Sequence, residues 1–180
     1  MRLDRFDNST FDRGAPWWKE ALWLLGGQPL VASFLPGTAW RRWMLVRFGA
    51  TIARGVVLKP RLRVKFPWRL KIGEFSWLGE GAWFDNLGQI TIGAHCCISQ
   101  EAYFCTGNHR WDKEGFDLEV GEISVADQAW IGARAVVAPG TQIGKGAVLA
   151  LGAVAGGVIE GWTIHAGNPA RAMKERPRCS

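Results

Sequence analysis

Among the titratable side chains of this 180-residue sequence, His109 stands in the setting best suited to chemistry. It lies in the run CTGNHRWD, inside a polar stretch from Thr106 to Ser124. A neutral imidazole near its ordinary pKa can take the proton of a hydroxyl at neutral pH, so the chemistry on offer is general-base catalysis. A single histidine is also a common structural residue, and its place in the chain must decide between the two. Metal ligation would need a close pair of histidines here with a third from elsewhere, and this segment supplies only His109. His95, at a turn of IGAHCC, and His165, before AGNPAR, read as structural. The four cysteines, Cys96, Cys97, Cys105 and Cys179, form no CxxC pair and no disulfide-dense spacing, so reduced thiols in a cytoplasmic protein are expected.

What positions His109 is a six-residue beat. An apolar residue recurs at Ile72, Leu78, Phe84, Ile92, Ile98 and Phe104, then at Val125, Ile131, Val137, Ile143 and Leu149. Four residues after each stands a small one: Ser76, Ala82, Gly88, Cys96, Ala102, then Ala129, Ala135, Thr141, Ala147 and Ala153. The exception is Asn108, the neighbour of His109. That period is too long for a strand and wrong for a helix, so it marks a repeat. Short strands with inward apolar residues and small corner residues, three hexads to a coil, build a parallel β-helix whose core is completed by stacking. Glycine directly after the apolar residue, as in IGEFSW and IGARAV, is expected to supply turn conformations. The beat shifts by two residues between Ile90 and Ile92 and stops between Phe104 and Val125, where a loop leaves the scaffold. Such excursions commonly carry function. Asp85 and Asn86 place polar groups in FDNLGQ one coil earlier; Asp85 reads equally as a solvated turn residue.

The organisation that follows is an arm over residues 1–50, a β-helix over 51–167 with an inserted loop at 106–124, and a basic tail at 168–180. The arm has two expected helices, Trp17 to Leu25 and Ala39 to Phe48, the second with Thr38 as N-cap and Gly49 after its end. Its tryptophans, Trp17, Trp18, Trp23, Trp40 and Trp43, either cover the open end of the solenoid or meet a membrane interface. Net charge is +6, and between Arg41 and Lys71 ten Lys and Arg residues occur with no Asp or Glu. That stretch is either a solvated face or a contact for anionic lipid or polysaccharide; no nucleic-acid module accompanies it. The apolar run Ala21 to Leu25 is too short to span a bilayer, and the aspartates before it do not suit a signal peptide.

The runs RFGATIARGVVLKP, LGQITIGAHCCIS, CTGNHRWD, WIGARAVVAPGTQIGKGAV and GNPAR carry a resemblance to the hexapeptide-repeat acetyltransferases, within them to those of colanic-acid and related exopolysaccharide gene clusters. The resemblance implies an all-β fold, the left-handed parallel β-helix, assembled as a homotrimer with sites between subunits. It implies acetyl-CoA as co-substrate, no metal, and a sugar hydroxyl of an exopolysaccharide precursor as acceptor. His109 would be the general base for direct attack on the thioester, with Trp130 framing the site. Ala133 and Leu151 match contacts to the pantetheine arm, and Arg171, with Lys174 one helical turn later, contacts to the CoA phosphates. Gly156 and Gly157 stand where relatives carry Thr-Lys. Asp85, Asn86 and Asn108 are the expected acceptor contacts. The rival readings are a non-catalytic β-helix scaffold or membrane-surface module, and a carbonic-anhydrase-like metalloenzyme. The expected location is cytoplasmic, with peripheral contact at the inner membrane if the basic front binds lipid.

Overall fold

All eleven apolar residues of the beat are at most 3% exposed in the computed structural model, which describes residues 2–178. They stack in register on three parallel sheets that form a prism. On the first face Ile52, Ile72, Ile92, Val125, Ile143 and Ile159 lie one above another. On the second, Leu58, Leu78, Ile98, Ile131 and Leu149 do the same, and His165 ends the column. Val64, Phe84, Phe104, Val137 and Ala155 fill the third, where the Phe84 and Phe104 rings stack at 4.9 Å. The small corner residues are buried as expected, while Asn108 is exposed.

The glycines that follow the apolar residues serve a different purpose from the one expected. A Cβ at Gly73 would come within 2.5 Å of the Ala94 nitrogen, and one at Gly132 within 2.7 Å of the Leu149 oxygen. They are needed for close approach of successive coils. The left-handed backbone falls two residues later, at Phe75, His95, Gln128 and Arg134, or at Gly81 and Gly146. One corner absorbs the irregularity of the repeat. Between the third face and the first, Val64 to Ile72 and Phe84 to Ile92 each hold two residues more than a hexad, and Phe104 to Val125 holds the large insertion.

The arm closes the first coil. Helix α1 (Trp17–Leu22) runs through a π-helical turn (Trp23–Gly27) into α2 (Gln28–Val31), so the chain stays helical past the expected end at Leu25. Trp23 is the reason: it is fully buried, its Nε1 donates to the Val64 carbonyl at 2.9 Å, and only glycine at position 27 leaves room beside its ring. Helix α3 (Thr38–Arg47) begins at Thr38 rather than after it; the Thr38 hydroxyl pairs instead with the Leu58 backbone, tying α3 to the first coil. Of the tryptophans expected to cover the solenoid end, Trp23 does so and Trp40 packs partly against the core. Trp17, Trp18 and Trp43 remain exposed. The tail is not free either: Arg171–Glu175 pairs antiparallel with Thr163–Ala166. Among the described residues no helix is long and apolar enough to cross a membrane.

Buried Glu20 in α1 accepts two hydrogen bonds from the half-exposed Arg13 guanidinium, which holds its carboxyl below the usual range against the opposing effect of burial. A carboxyl depressed in the folded state stabilises above its unfolded pKa, about 4.3, and that stabilisation is lost as pH falls through the lower folded value. Glu20→Gln should therefore cost about 1–2 kcal/mol at pH 7, discounted for the exposed Arg13, with the deficit shrinking below about pH 4. Urea melts across pH check this; an equal deficit at every pH would exclude an ionised pair.

Candidate active site

The insertion that carries His109 is a β-hairpin, not the irregular loop expected: Gly107–His109 pairs antiparallel with Leu118–Val120. Its base is pinned to the prism. The buried Thr106 hydroxyl donates to the Asp85 carbonyl at 3.1 Å and accepts from the Gly88 nitrogen at 2.8 Å, and the Thr106 carbonyl accepts from Gly121. Gly121 in turn lies so close to the Pro139–Gly140 backbone that a Cβ would sit 2.5 Å from the Gly140 nitrogen. The ribbon therefore leaves the scaffold in one direction.

His109 is held on three sides. Its Nδ1 lies 2.8 Å from the Phe116 carbonyl oxygen, its ring stacks on the Phe116 ring at 4.3 Å and an interplanar angle of 2°, and Phe6 meets it edge-on at 5.5 Å. A carbonyl can only accept, so Nδ1 carries the proton and Nε2 keeps its lone pair. Nε2 has no hydrogen-bond partner among the described residues and is left to meet an incoming group. Phe116 is in left-handed backbone at φ +52, a conformation costly for a bulky side chain, and that turn aims its carbonyl back at the imidazole. Neither phenylalanine was singled out from sequence. Phe116 follows a glycine in a polar stretch, a faint turn signal; Phe6 is a hundred residues away along the chain, brought over by the Arg5–Glu114 ion pair and the Arg2–Glu114 backbone bond.

The acceptor candidates divide. Asp85 is on the third face beside Cys105, two residues before the hairpin; its carboxylate pairs with Lys65 at 3.0 Å and accepts from the Tyr103 hydroxyl at 3.2 Å. Burial, with Cys105 and Asp85 adding to it, pushes the Tyr103 phenol well above its ordinary pKa, so it stays a donor. Asn86 must be corrected. It is fully buried, its oxygen accepts from the Phe66 nitrogen and its amide donates to the Phe66 and Arg69 carbonyls, so it braces the widened corner and cannot reach a sugar. Asn108 pairs with Glu119 on the ribbon, and strand alternation sends its side chain to the opposite side from His109. The structure does not bring those two side chains together.

The donor candidates lie elsewhere. Trp130 is on the outside of the second face between Cys97 and Val148, and its Nε1 donates to the Ser99 hydroxyl at 2.9 Å. Ala133 and Leu151 are neighbours at the corner between the second and third faces, where the Ala133 carbonyl accepts from Gly152 and Leu151 is exposed. Arg171 and Lys174 belong to a strand, not the helix expected. A bulge at Ile164/His165 pairs them with Ala166 and Ile164, two residues apart, so both cations still project to one side. Gly156 and Gly157 lie at the hairpin's corner and present no side chain to a phosphate. Among the described residues no three His, Cys, Asp or Glu side chains gather as metal ligands. Cys96 is buried, which raises its thiol pKa; Cys97 and Cys105 are unpaired, and Cys179 lies outside the described residues.

The chain matches no family model. It is 33% identical over 160 residues to WcaF of Escherichia coli K12, a protein assigned by name to colanic acid biosynthesis as an acetyltransferase; the match covers 89% of this chain and 85% of that one. A hexapeptide-repeat-containing acetyltransferase from Vibrio cholerae superposes with a TM-score of 0.79 at 25% identity, over 91% of this chain and 96% of that chain. A galactoside acetyltransferase solved with coenzyme A shares the fold at a TM-score of 0.77 and 18% identity, over 88% and 80% of the two chains. These neighbours are left-handed β-helices, and the prism described here is of that kind. Hexads throughout the core, a left-handed prism and one-third identity across most of the chain place this protein in the hexapeptide-repeat acetyltransferase family.

Proposed function

We propose that the protein transfers an acetyl group from acetyl-CoA to a sugar hydroxyl of an exopolysaccharide precursor, with His109 as general base. The observation that carries this reading is the His109–Phe116 arrangement, which leaves a lone pair on Nε2 at the outer side of a ribbon anchored to the prism. In the transfer, Nε2 takes the acceptor hydroxyl proton as the oxygen bonds to the acetyl carbonyl carbon. The carbon–sulfur bond then breaks, and the imidazolium returns its proton to the departing thiolate, giving the ester and free CoA thiol. Asp85, with Lys65 and Tyr103, offers hydrogen bonds to sugar hydroxyls beside the hairpin. The named role of WcaF supports the acceptor class.

The acetyl-CoA complex of the Vibrio cholerae protein, which shares 24% identity at a TM-score of 0.81 over 97% of each chain, supports the donor. The donor-side residues of this chain suit that molecule: an apolar corner at Ala133 and Leu151, and two exposed cations at Arg171 and Lys174. Ala133 and Leu151 stand at one edge of the third face and His109 at the other, which favours a site completed by a second copy in a homotrimer. The reading assigns the enzyme to the cytoplasm, where acetyl-CoA is made.

The test follows thiol release from acetyl-CoA with a nucleotide sugar, a lipid-linked oligosaccharide and a polysaccharide, and the product is analysed for a base-labile ester. Release with at least one acceptor is expected; none with all three would sink the reading. Arg171→Glu together with Lys174→Glu should raise the KM for acetyl-CoA on the order of tenfold or more with little change in kcat, as loss of uniform binding requires.

A further inference from the structure

The helical arm buries only part of its apolar surface. Trp23, Val31 and Leu45 are fully buried, whereas Trp17 is 80% exposed, Leu25 84%, Phe34 78% and Trp43 63%. Scattered apolar side chains on a surface need no explanation, but a contiguous group does. A groove of about 380 Å³ joins α1 to the end of α3, with Trp18, Leu22 and Phe48 in its walls and Lys19 and Arg47 at its edges. On α3, Arg42 and Val46, and Trp43 and Arg47, are four residues apart, so cations and apolar groups share one outward side. Phe34 lies 5.4 Å from the Arg61 guanidinium.

The charge around this surface has one sign. From Trp17 to Lys71 the single acid is Glu20, which is buried and bound to Arg13. Among the described residues Arg42, Arg47, Lys59 and Lys71 have no carboxylate partner. We propose that this face of the arm docks on an anionic phospholipid surface. Trp17, Leu25, Phe34 and Trp43 enter the boundary between headgroups and acyl chains, and Arg42, Arg47 and Lys59 meet lipid phosphates. Tryptophan at headgroup depth beside extended cations is the chemistry of interfacial helices, and the negative surface potential draws the cations in. A self-complementary contact between two copies fits less well, because it would bring cations against cations with no carboxylate to pair them.

The inference does not depend on the acetyltransferase reading. Its test is sedimentation of the full chain with protein-free vesicles of phosphatidylcholine, with and without about 30% phosphatidylglycerol, at low salt and at about 0.5 M salt. Trp17→Ser/Leu25→Ser/Trp43→Ser and Arg42→Glu/Arg47→Glu variants are run beside it, with solution mass and Tm measured for each. Binding to the anionic vesicles is expected, at least ~10-fold weaker on phosphatidylcholine alone and at high salt. Both variants should lose at least ~10-fold in partitioning with wild-type mass and Tm. Absence of binding, indifference to phosphatidylglycerol, or wild-type binding by the variants would overturn the proposal. So would a changed mass in the triple variant, which would make the surface a contact between copies, or binding to native membranes but not to vesicles, which would indicate a protein partner.

Discussion

His109→Ala lowers acetyl transfer by at least ~100-fold, the scale on which a positioned general base acts, while the KM for acetyl-CoA stays near its wild-type value. The size follows from geometry. Nδ1 is committed to the Phe116 carbonyl, so Nε2 is the basic atom, and Asp85, the carboxylate at the hairpin base, is held by Lys65 and Tyr103. No other histidine can substitute: His95 is stacked on Phe75 at a different corner, and His165 is buried in the core column. The unchanged KM follows from the position of Ala133 and Leu151 at another corner of the prism. The fold should tolerate the change, because the imidazole sits on a ribbon outside the core and surface substitutions usually stay within about 0.5 kcal/mol. Single-turnover transfer and a thermal melt of the same preparation test both halves; near-normal turnover in a folded variant would remove His109 from the mechanism.

The largest expected loss of stability belongs to Arg41→Met. Arg41 in α3 is fully buried, and its guanidinium donates to the carbonyls of Val31, Ser33, Leu35 and Gly37, all in the turn between α2 and α3. Methionine fills a similar volume but leaves those oxygens without a donor. Breaking such a buried charged network costs about 3–5 kcal/mol, a large share of the 5–15 kcal/mol typical of a folded domain. Because a solenoid unfolds in neighbouring units, the damage should appear first in the arm and the opening coil. Hydrogen exchange should therefore accelerate over residues 28–64 while the coils beyond Ile131 stay protected. A loss under about 1 kcal/mol in urea would show that the turn is held by its apolar packing instead.

Arg41 also shows where sequence reading stops. In the sequence it is one of ten basic residues in an acid-free stretch, indistinguishable from Arg42 beside it. Only the path of the α2–α3 turn turns one of them inward. Asn86 is a second case: its polarity in an apolar repeat is visible, but a buried amide serving three backbone groups and an amide facing a ligand look alike in sequence. The hairpin was hidden because each of its strands is only three residues long, too short for alternation to register. Phe6 and Phe116 were missed because their role depends on contacts that local pattern does not encode.

The sequence by itself determined the prism: a six-residue period with an inward apolar residue and a small corner residue has one economical way to bury its core, and every such position in the series from Ile72 to Leu149 is buried. It also located the interruption and the histidine within it, because a break in a strict period is as legible as the period. The tertiary structure decided which atom of His109 is free, which polar neighbours are already spent on the backbone, and which tryptophans are left outside. Those depend on contacts between residues far apart in the chain, such as Phe6 with His109 and Trp23 with Val64, and a local pattern carries no record of them.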